Sequence, residues 1–156
     1  MVASFRSYVW DPQLIVSQIL TMQSIFYVCY GFWLVMVDFI VDAPRSLDQI
    51  FKYECLEFGS SRGRLIVGVY VLNSLTGALG LWFLVQRSKQ CTDYAFTVHF
   101  LHLLACWIYN RQFPNTVSWW LVNIVCIAMM TVLGEFLCMR TELRAIPVSA
   151  ALKADL

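Results

Sequence analysis

Charge is scarce in this chain: Asp, Glu, Lys and Arg supply 13% of its 156 residues, about half their share in ordinary soluble proteins. A water-soluble surface is hard to build from so few charges. Those present form no block of one sign, and the formal net charge is +1. Nothing therefore points to nucleic acid or to strong attraction for anionic lipid. Histidine occurs only twice, too seldom to supply the several histidine boxes that an iron pair needs. No two of the six cysteines stand in Cys-x-x-Cys spacing, which removes the usual redox and zinc pairings. The chain also lacks an Asn-x-Ser/Thr sequon and a phosphate-binding glycine loop. Together these absences argue against an enzyme of the soluble kind, and no cofactor is expected.

What replaces charge is apolar length. Hydrophobic residues make up 60% of the chain, and residues 14–37 (LIVSQILTMQSIFYVCYGFWLVMV) run without one formal charge, longer than the roughly 20 residues that cross a bilayer. The run is too long for the apolar core of a cleavable secretory signal and no small-residue cleavage site follows it, so it is expected to stay as a first span. The second residue is valine, not the glycine that myristoylation requires, so the span itself is expected to hold this end. Further low-charge runs give an all-α, four-transmembrane-helix bundle as one membrane domain over 1–156, with spans at about 13–38, 65–85, 94–110 and 117–138 and short tails at 1–12 and 139–156. The third run is at the short end of the spanning range.

Taken in order, Phe5, Tyr8 and Trp10 stand just before the first span, where amphipathic rings favour the headgroup layer. Asp11 followed by Pro12 predicts a helix start, because the carboxylate accepts from free amides and proline fits the first helical position. Between spans one and two, residues 42–64 predict a short interfacial helix. Ser46 and Gln49 have capping-box spacing, Leu47, Ile50, Phe51, Cys55 and Phe58 share one side, Asp48 pairs with Lys52 at i, i+4, and Gly59 stops the helix. That loop reads either as a brace lying in the interface or as a surface for a partner. In span two, Ser74, Thr76, Gly77, Ala78 and Gly80 form a small face for close helix packing, and Asn73 is expected to bond across to a neighbouring helix or to touch a ligand. The short connections 86–93 and 110–116 make consecutive spans antiparallel.

Orientation rests on little. Six Lys or Arg lie on the side of the two ends and five on the other, but Arg87 and Lys89 crowd a short loop, whereas four of the five are diluted among Asp42, Asp48, Glu54 and Glu57. Both ends are expected in the cytosol. Cys91 and Cys138 then lie beside the cytosolic boundary, where palmitoylation or a free thiol is possible, and Cys55 alone faces the other side.

His99 and His102, at i, i+3 on one face, have a spacing able to hold a metal, but the expected state is two neutral, hydrogen-bonded imidazoles and no metal. At ~1.5 Å per residue from the cytosolic boundary, Gln18 lies roughly 6 Å deep, His99 roughly 8, His102 roughly 12 and Glu135 roughly 5. Three spans thus place polar groups in one half of the bundle, either as a docking pocket or as a network that pins helix packing.

The segments FRSYVWDP (5–12), SLDQIF (46–51), TVHFLHLL (97–104) and CMRTEL (138–143) resemble the Sys family of Golgi integral membrane proteins, over essentially the whole chain. The resemblance implies a non-catalytic receptor of the trans-Golgi that recruits an ADP-ribosylation-factor-related small GTPase through its acetylated N-terminus, in support of vesicle traffic. It brings no binding-residue motif. The candidate partner-binding residues come from depth, orientation and the small face of span two: Gln18, Gly77, Gly80, His99, His102 and Glu135 around a half-polar gap, with Arg140, Glu142 and Arg144 at its rim. A small transporter or lipid-handling protein is the alternative, but it predicts internal repeats or broken helices. Spans one and two show no similarity to three and four, and no span contains an internal proline.

Overall fold

The computed structural model describes residues 11–144, so the aromatic segment at 5–10 and the tail after Arg144 lie outside the described residues. Within them the chain is all-helical: α1 (Pro12–Val41), α2 (Asp48–Phe51), α3 (Ser61–Leu84), α4 (Cys91–Asn110) and α5 (Val117–Arg144), with 3-10 turns at Tyr53–Cys55 and Ser88–Gln90. Three of them, α1, α3 and α5, are long and apolar enough to cross a membrane. The helix α4 is long enough at 20 residues, but it does not reach the same apolarity.

Asp11 caps α1 as its carboxylate Oδ1 accepts from the amides of Gln13 at 3.1 Å and Leu14 at 3.4 Å, with Pro12 in the first turn. The helix ends at Asp42, whose φ of 52° is left-handed, a conformation a short Asp side chain tolerates. Ser60 caps α3 by accepting from the Gly63 amide at 3.0 Å. The direction of the chain reverses at each connection, so the starts of α1 and α4 meet the ends of α3 and α5. We call this the terminal end, and the opposite one, covered by residues 42–60, the loop end.

The small face packs as expected. Ser74, Gly77, Ala78 and Gly80 are buried, and α3 lies against both α1 and α5, while α4 closes on α5 and α1. Outward positions are the apolar ones: Val28, Phe39, Ile40, Ile124, Val132 and Phe136 are exposed, whereas Asn73, His102 and Asn123 are inside. A bundle whose polar groups face inward is arranged for a hydrocarbon solvent. Asn73, however, does not bond across helices. Its Oδ1 meets Thr76 on its own helix at 3.5 Å and its Nδ2 has no partner. The cross-helix bond is instead Tyr70 Oη donating to Asn123 Oδ1 at 2.8 Å; intramembrane bonds of this sort average about 0.6 kcal/mol.

The loop differs from its expected form. The helix is one turn, not a run to Phe58, and Gln49 is buried under it while Ile50 and Phe51 pack on the core. Ser46 Oγ does accept from the Asp48 amide at 3.1 Å, and Lys52 pairs with Asp48 at 3.0 Å. Gln49 does not complete the capping box. Its amide turns into the bundle, donating to Asp38 Oδ2 and to Pro44 O, each at 3.1 Å. A buried amide bonded to a buried carboxylate outweighs a solvent-exposed cap.

Candidate functional site

At the terminal end, residues distant in sequence are tied helix to helix. Tyr94 Oη donates to Gln18 Oε1 at 2.7 Å, and Gln18 Nε2 donates to Leu84 O at 3.2 Å, which joins α1, α3 and α4. Thr92 Oγ1 donates to Glu135 Oε1 at 2.6 Å. The Ser88 amide and hydroxyl both donate to the Glu142 carboxylate, at 3.1 and 2.9 Å, and Trp82 Nε1 donates to Thr141 Oγ1 at 2.7 Å. Arg140 lies over the Phe136 ring at 5.7 Å, and Arg144 is exposed at the last turn of α5. Beside this lattice, α1 and α4 leave a cleft of about 230 Å³ lined by Ile15, Ile19, Gln90, Asp93, Tyr94 and Thr97. Its floor is apolar and its rim offers a carboxylate, an amide and a hydroxyl.

The histidines are placed elsewhere. His102 is fully buried, its ring 5.5 Å from that of Phe26, 5.8 Å from Tyr70, 5.9 Å from Tyr27 and 6.4 Å from Phe51. Phe51 belongs to the loop end, so His102 is in the half of the bundle opposite to the one its depth from Tyr94 implied. Part of the offset arises because α4 begins at Cys91, not at residue 94. Its Nδ1 is 3.4 Å from Tyr27 Oη and its Nε2 3.5 Å from Cys106 Sγ. His99 Nδ1 is 2.9 Å from Ala95 O, and its Nε2 has no partner. Such an arrangement fastens helices rather than opening a pocket, since ring pairs of this geometry contribute about 0.5–1.5 kcal/mol each beyond their buried area. Among the described residues no three His, Cys, Asp or Glu side chains come close enough together to hold a metal ion.

Nor do the glycines leave a gap. A Cβ at Gly77 would meet Met130 Sδ at 3.0 Å, and one at Gly80 would meet Met22 Sδ at 3.3 Å. Flexible thioethers fill the space that the small face creates. Of the expected site residues, Gln18, Glu135, Arg140, Glu142 and Arg144 are gathered at the terminal end, while Gly77, Gly80, His99 and His102 are interior packing. Sequence reading missed Ile15, Ile19, Gln90, Asp93, Tyr94 and Thr97. The i, i+4 pairs Ile15/Ile19 and Asp93/Thr97 mark one face on each helix, but only the fold shows that the faces meet. Cys91 and Cys138 are buried against each other at an Sγ–Sγ distance of 3.5 Å, so neither thiol is presented for acylation.

A helical bundle with three membrane-crossing helices, polar inside and apolar outside, defines an integral membrane protein. Residues 5–148 match the family described as integral membrane protein S linking to the trans Golgi network, and the chain belongs to that family. It is 51% identical over 150 residues to the SYS1 homologue of Nematostella vectensis, covering 96% of this chain and 95% of that protein. To the Dictyostelium discoideum SYS1 homologue it is 36% identical over 97% of this chain and 65% of the relative. To SYS1 of Saccharomyces cerevisiae it is 27% identical over 90% of this chain and 69% of the relative. No solved structure matches.

Proposed function

We propose that the chain is a non-catalytic receptor of trans-Golgi membranes that recruits an ADP-ribosylation-factor-related small GTPase by its acetylated N-terminus. The observation that carries this reading is the family match over nearly the whole chain, whose description speaks of linking to the trans Golgi network. The terminal end supports it. Four helices are held there by side-chain bonds, so the cleft between α1 and α4 is pre-organised, which lowers the ordering cost of binding. An acetylated terminus carries no charge. Its methyl group suits Ile15 and Ile19, and its amide finds Gln90, Asp93 and Thr97 within the same walls; an amide leaving water needs such partners. Arg140, Glu142 and Arg144 stand at the neighbouring end of α5, where charge sets encounter rate more than tightness.

This reading requires both termini in the cytosol and α4 as a fourth span. Twenty residues at ~1.5 Å each reach about 30 Å, the thickness of the hydrocarbon core, and Phe96, Phe100, Trp107 and Ile108 point outward from α4. The one-turn α2 lies at the boundary on the loop end. Thr97→Trp is the test. The Thr97 hydroxyl bonds only to Asp93 O on its own helix, so the substitution fills the cleft without cutting an interhelical bond. The GTPase is expected to move from Golgi membranes to the cytosol while the variant itself still reaches the Golgi. A GTPase that stays membrane-bound with Thr97→Trp, but leaves with Arg140→Glu, places recognition on the outer surface instead.

A further inference from the structure

At the loop end two cavities share a wall. The deeper one, about 220 Å³, is lined by Leu34, Val37, Val41, Leu65 and Val69 together with Asp38 and Arg62, and is almost wholly apolar. The shallower one, about 330 Å³, is lined by Pro44, Ser46, Asp48, Gln49, Glu54 and Arg62 among others. Arg62 and Ile66 line both. The seam is fastened by Arg62 donating to Pro44 O at 2.9 Å and by Gln49 Nε2 donating to Asp38 Oδ2.

Gln49 carries the sharper clue. It is only 3% exposed, and its Oε1 has no hydrogen-bond partner. The amide cannot simply be flipped, because Nε2 already faces two acceptors, Asp38 Oδ2 and Pro44 O. A buried carbonyl oxygen without a donor is destabilising, so a ligand that brings an N–H or O–H to it is favoured. The deep cavity is lined mainly by span residues, and the shallow one adds Ser46, Asp48, Gln49 and Glu54 from the loop to Arg62 and Ile66 of α3, so polar side chains gather chiefly at the outer of the two spaces. That is the order in which a bilayer lipid presents its chain and its headgroup. A soluble ligand has no reason to match it.

We propose that these cavities form a binding site for phosphatidylethanolamine, with an acyl chain in the deep cavity, the phosphate at Arg62 and the ammonium at Glu54 and Gln49 Oε1. Arg62 has five N–H donors, of which Pro44 O takes one. Asp38, Asp48 and Glu54 outnumber Arg62 in the walls, which disfavours a headgroup of net negative charge. Phosphatidylcholine fits by size but has no N–H for Gln49. Diacylglycerol has a hydroxyl but no phosphate for Arg62. The site holds whichever way the bundle faces, and so does not depend on GTPase recruitment.

The test uses the purified full-length chain in maltoside micelles, to which phosphatidylethanolamine, phosphatidylcholine, phosphatidylglycerol or diacylglycerol is added singly, with retained lipid counted by native mass spectrometry and the thermal midpoint recorded. Phosphatidylethanolamine is expected to be retained at one per chain and to bind about tenfold more tightly than phosphatidylcholine, the effect of one charge-assisted hydrogen bond. Val37→Phe, which fills the deep cavity and touches no polar contact, is expected to abolish that preference. Glu54→Gln, at an exposed position, is expected to reduce it and serves where Val37→Phe does not fold. Equal retention of the four lipids, or a preference that survives both substitutions, overturns the site and leaves only annular lipid. Retention of diacylglycerol over phosphatidylethanolamine overturns the assignment of Arg62 to phosphate.

Discussion

Single residues show where this bundle has no slack. A Cβ at Gly63 would stand 2.1 Å from Glu57 O, a backbone atom that cannot rotate away, whereas nothing lies within 4 Å of one at Gly68. Gly63→Ala is therefore expected to destabilise by about 1–3 kcal/mol, the usual cost of overpacking. Gly68→Ala, mid-helix and unobstructed, is expected to stabilise by up to about 1 kcal/mol. Thermal midpoints of the two variants in detergent check the pair, and equal midpoints contradict the close approach. The sequence sets Gly63 between two arginines ahead of span two and Gly68 within that span, but it does not show that Gly63 alone is crowded. The conflict at Gly63 comes from how the chain turns at residues 57–60, a three-dimensional fact.

Asp48 supplies the pH dependence. The Tyr109 hydroxyl, donating to its Oδ1 at 2.7 Å, and then Lys52 hold this carboxyl below its ordinary value. A depressed value means the contribution is complete above the unfolded pKa of about 3.9 and is lost only as pH falls through the lower folded value. Amide hydrogen exchange across residues 48–55, corrected for its intrinsic pH dependence, is expected to stay constant from neutrality to about pH 5 and to rise only in stronger acid. Tyr109→Phe is expected to move that rise toward higher pH. A rise already complete at about pH 5 in the native chain means that Asp48 does not hold the loop.

At the scale of elements, the start of α1 and the small face of α3 were legible because each is set by local chemistry: Asp11 and Pro12 for the start, small residues at helical spacing for the contact. The loop and the histidines were not. Gln49 bonds to Asp38 rather than to its own cap, and His102 packs against Phe51, a third of the chain away in sequence. Such partners leave no periodic trace. The element that most needs a test is α4, whose two histidines, Asp93 and Asn110 dilute its apolarity. Its loop end is marked by rings, with Trp107 against Phe113 at 5.7 Å and Phe113 against Trp120 at 5.8 Å. Aromatic belts of this sort mark the membrane interface. If α4 crosses, a protease site inserted between residues 112 and 115 is expected to share the protection of one near Ser60, while one between Arg87 and Lys89 has the opposite accessibility. Like accessibility at both insertions puts α4 on one face of the membrane.

For the whole molecule, the orientation in the membrane decides where every site faces. The positive-inside bias is slight, resting on Arg87 and Lys89 in the short connection between α3 and α4. The fold adds a second argument. At the terminal end the rim charges Glu142, Arg140 and Arg144 crown a rigid lattice in which Ser88, Thr92, Tyr94 and Gln18 are already bonded, a surface ready to meet a soluble protein. The loop end instead folds its polar groups inward, Gln49 upon Asp38 and Arg62 upon Pro44. A cytosolic GTPase can reach only one of them. Protease added outside sealed Golgi vesicles is expected to remove a tag placed after Leu156 and to spare one inserted near Ser60. The reverse pattern would turn the α1/α4 cleft into the lumen and end the recruitment proposal there. It would leave the lipid site intact, because adjoining apolar and polar cavities meet a bilayer lipid equally well from either leaflet. The two proposals can therefore fail separately, and the topology experiment should precede any variant aimed at the GTPase.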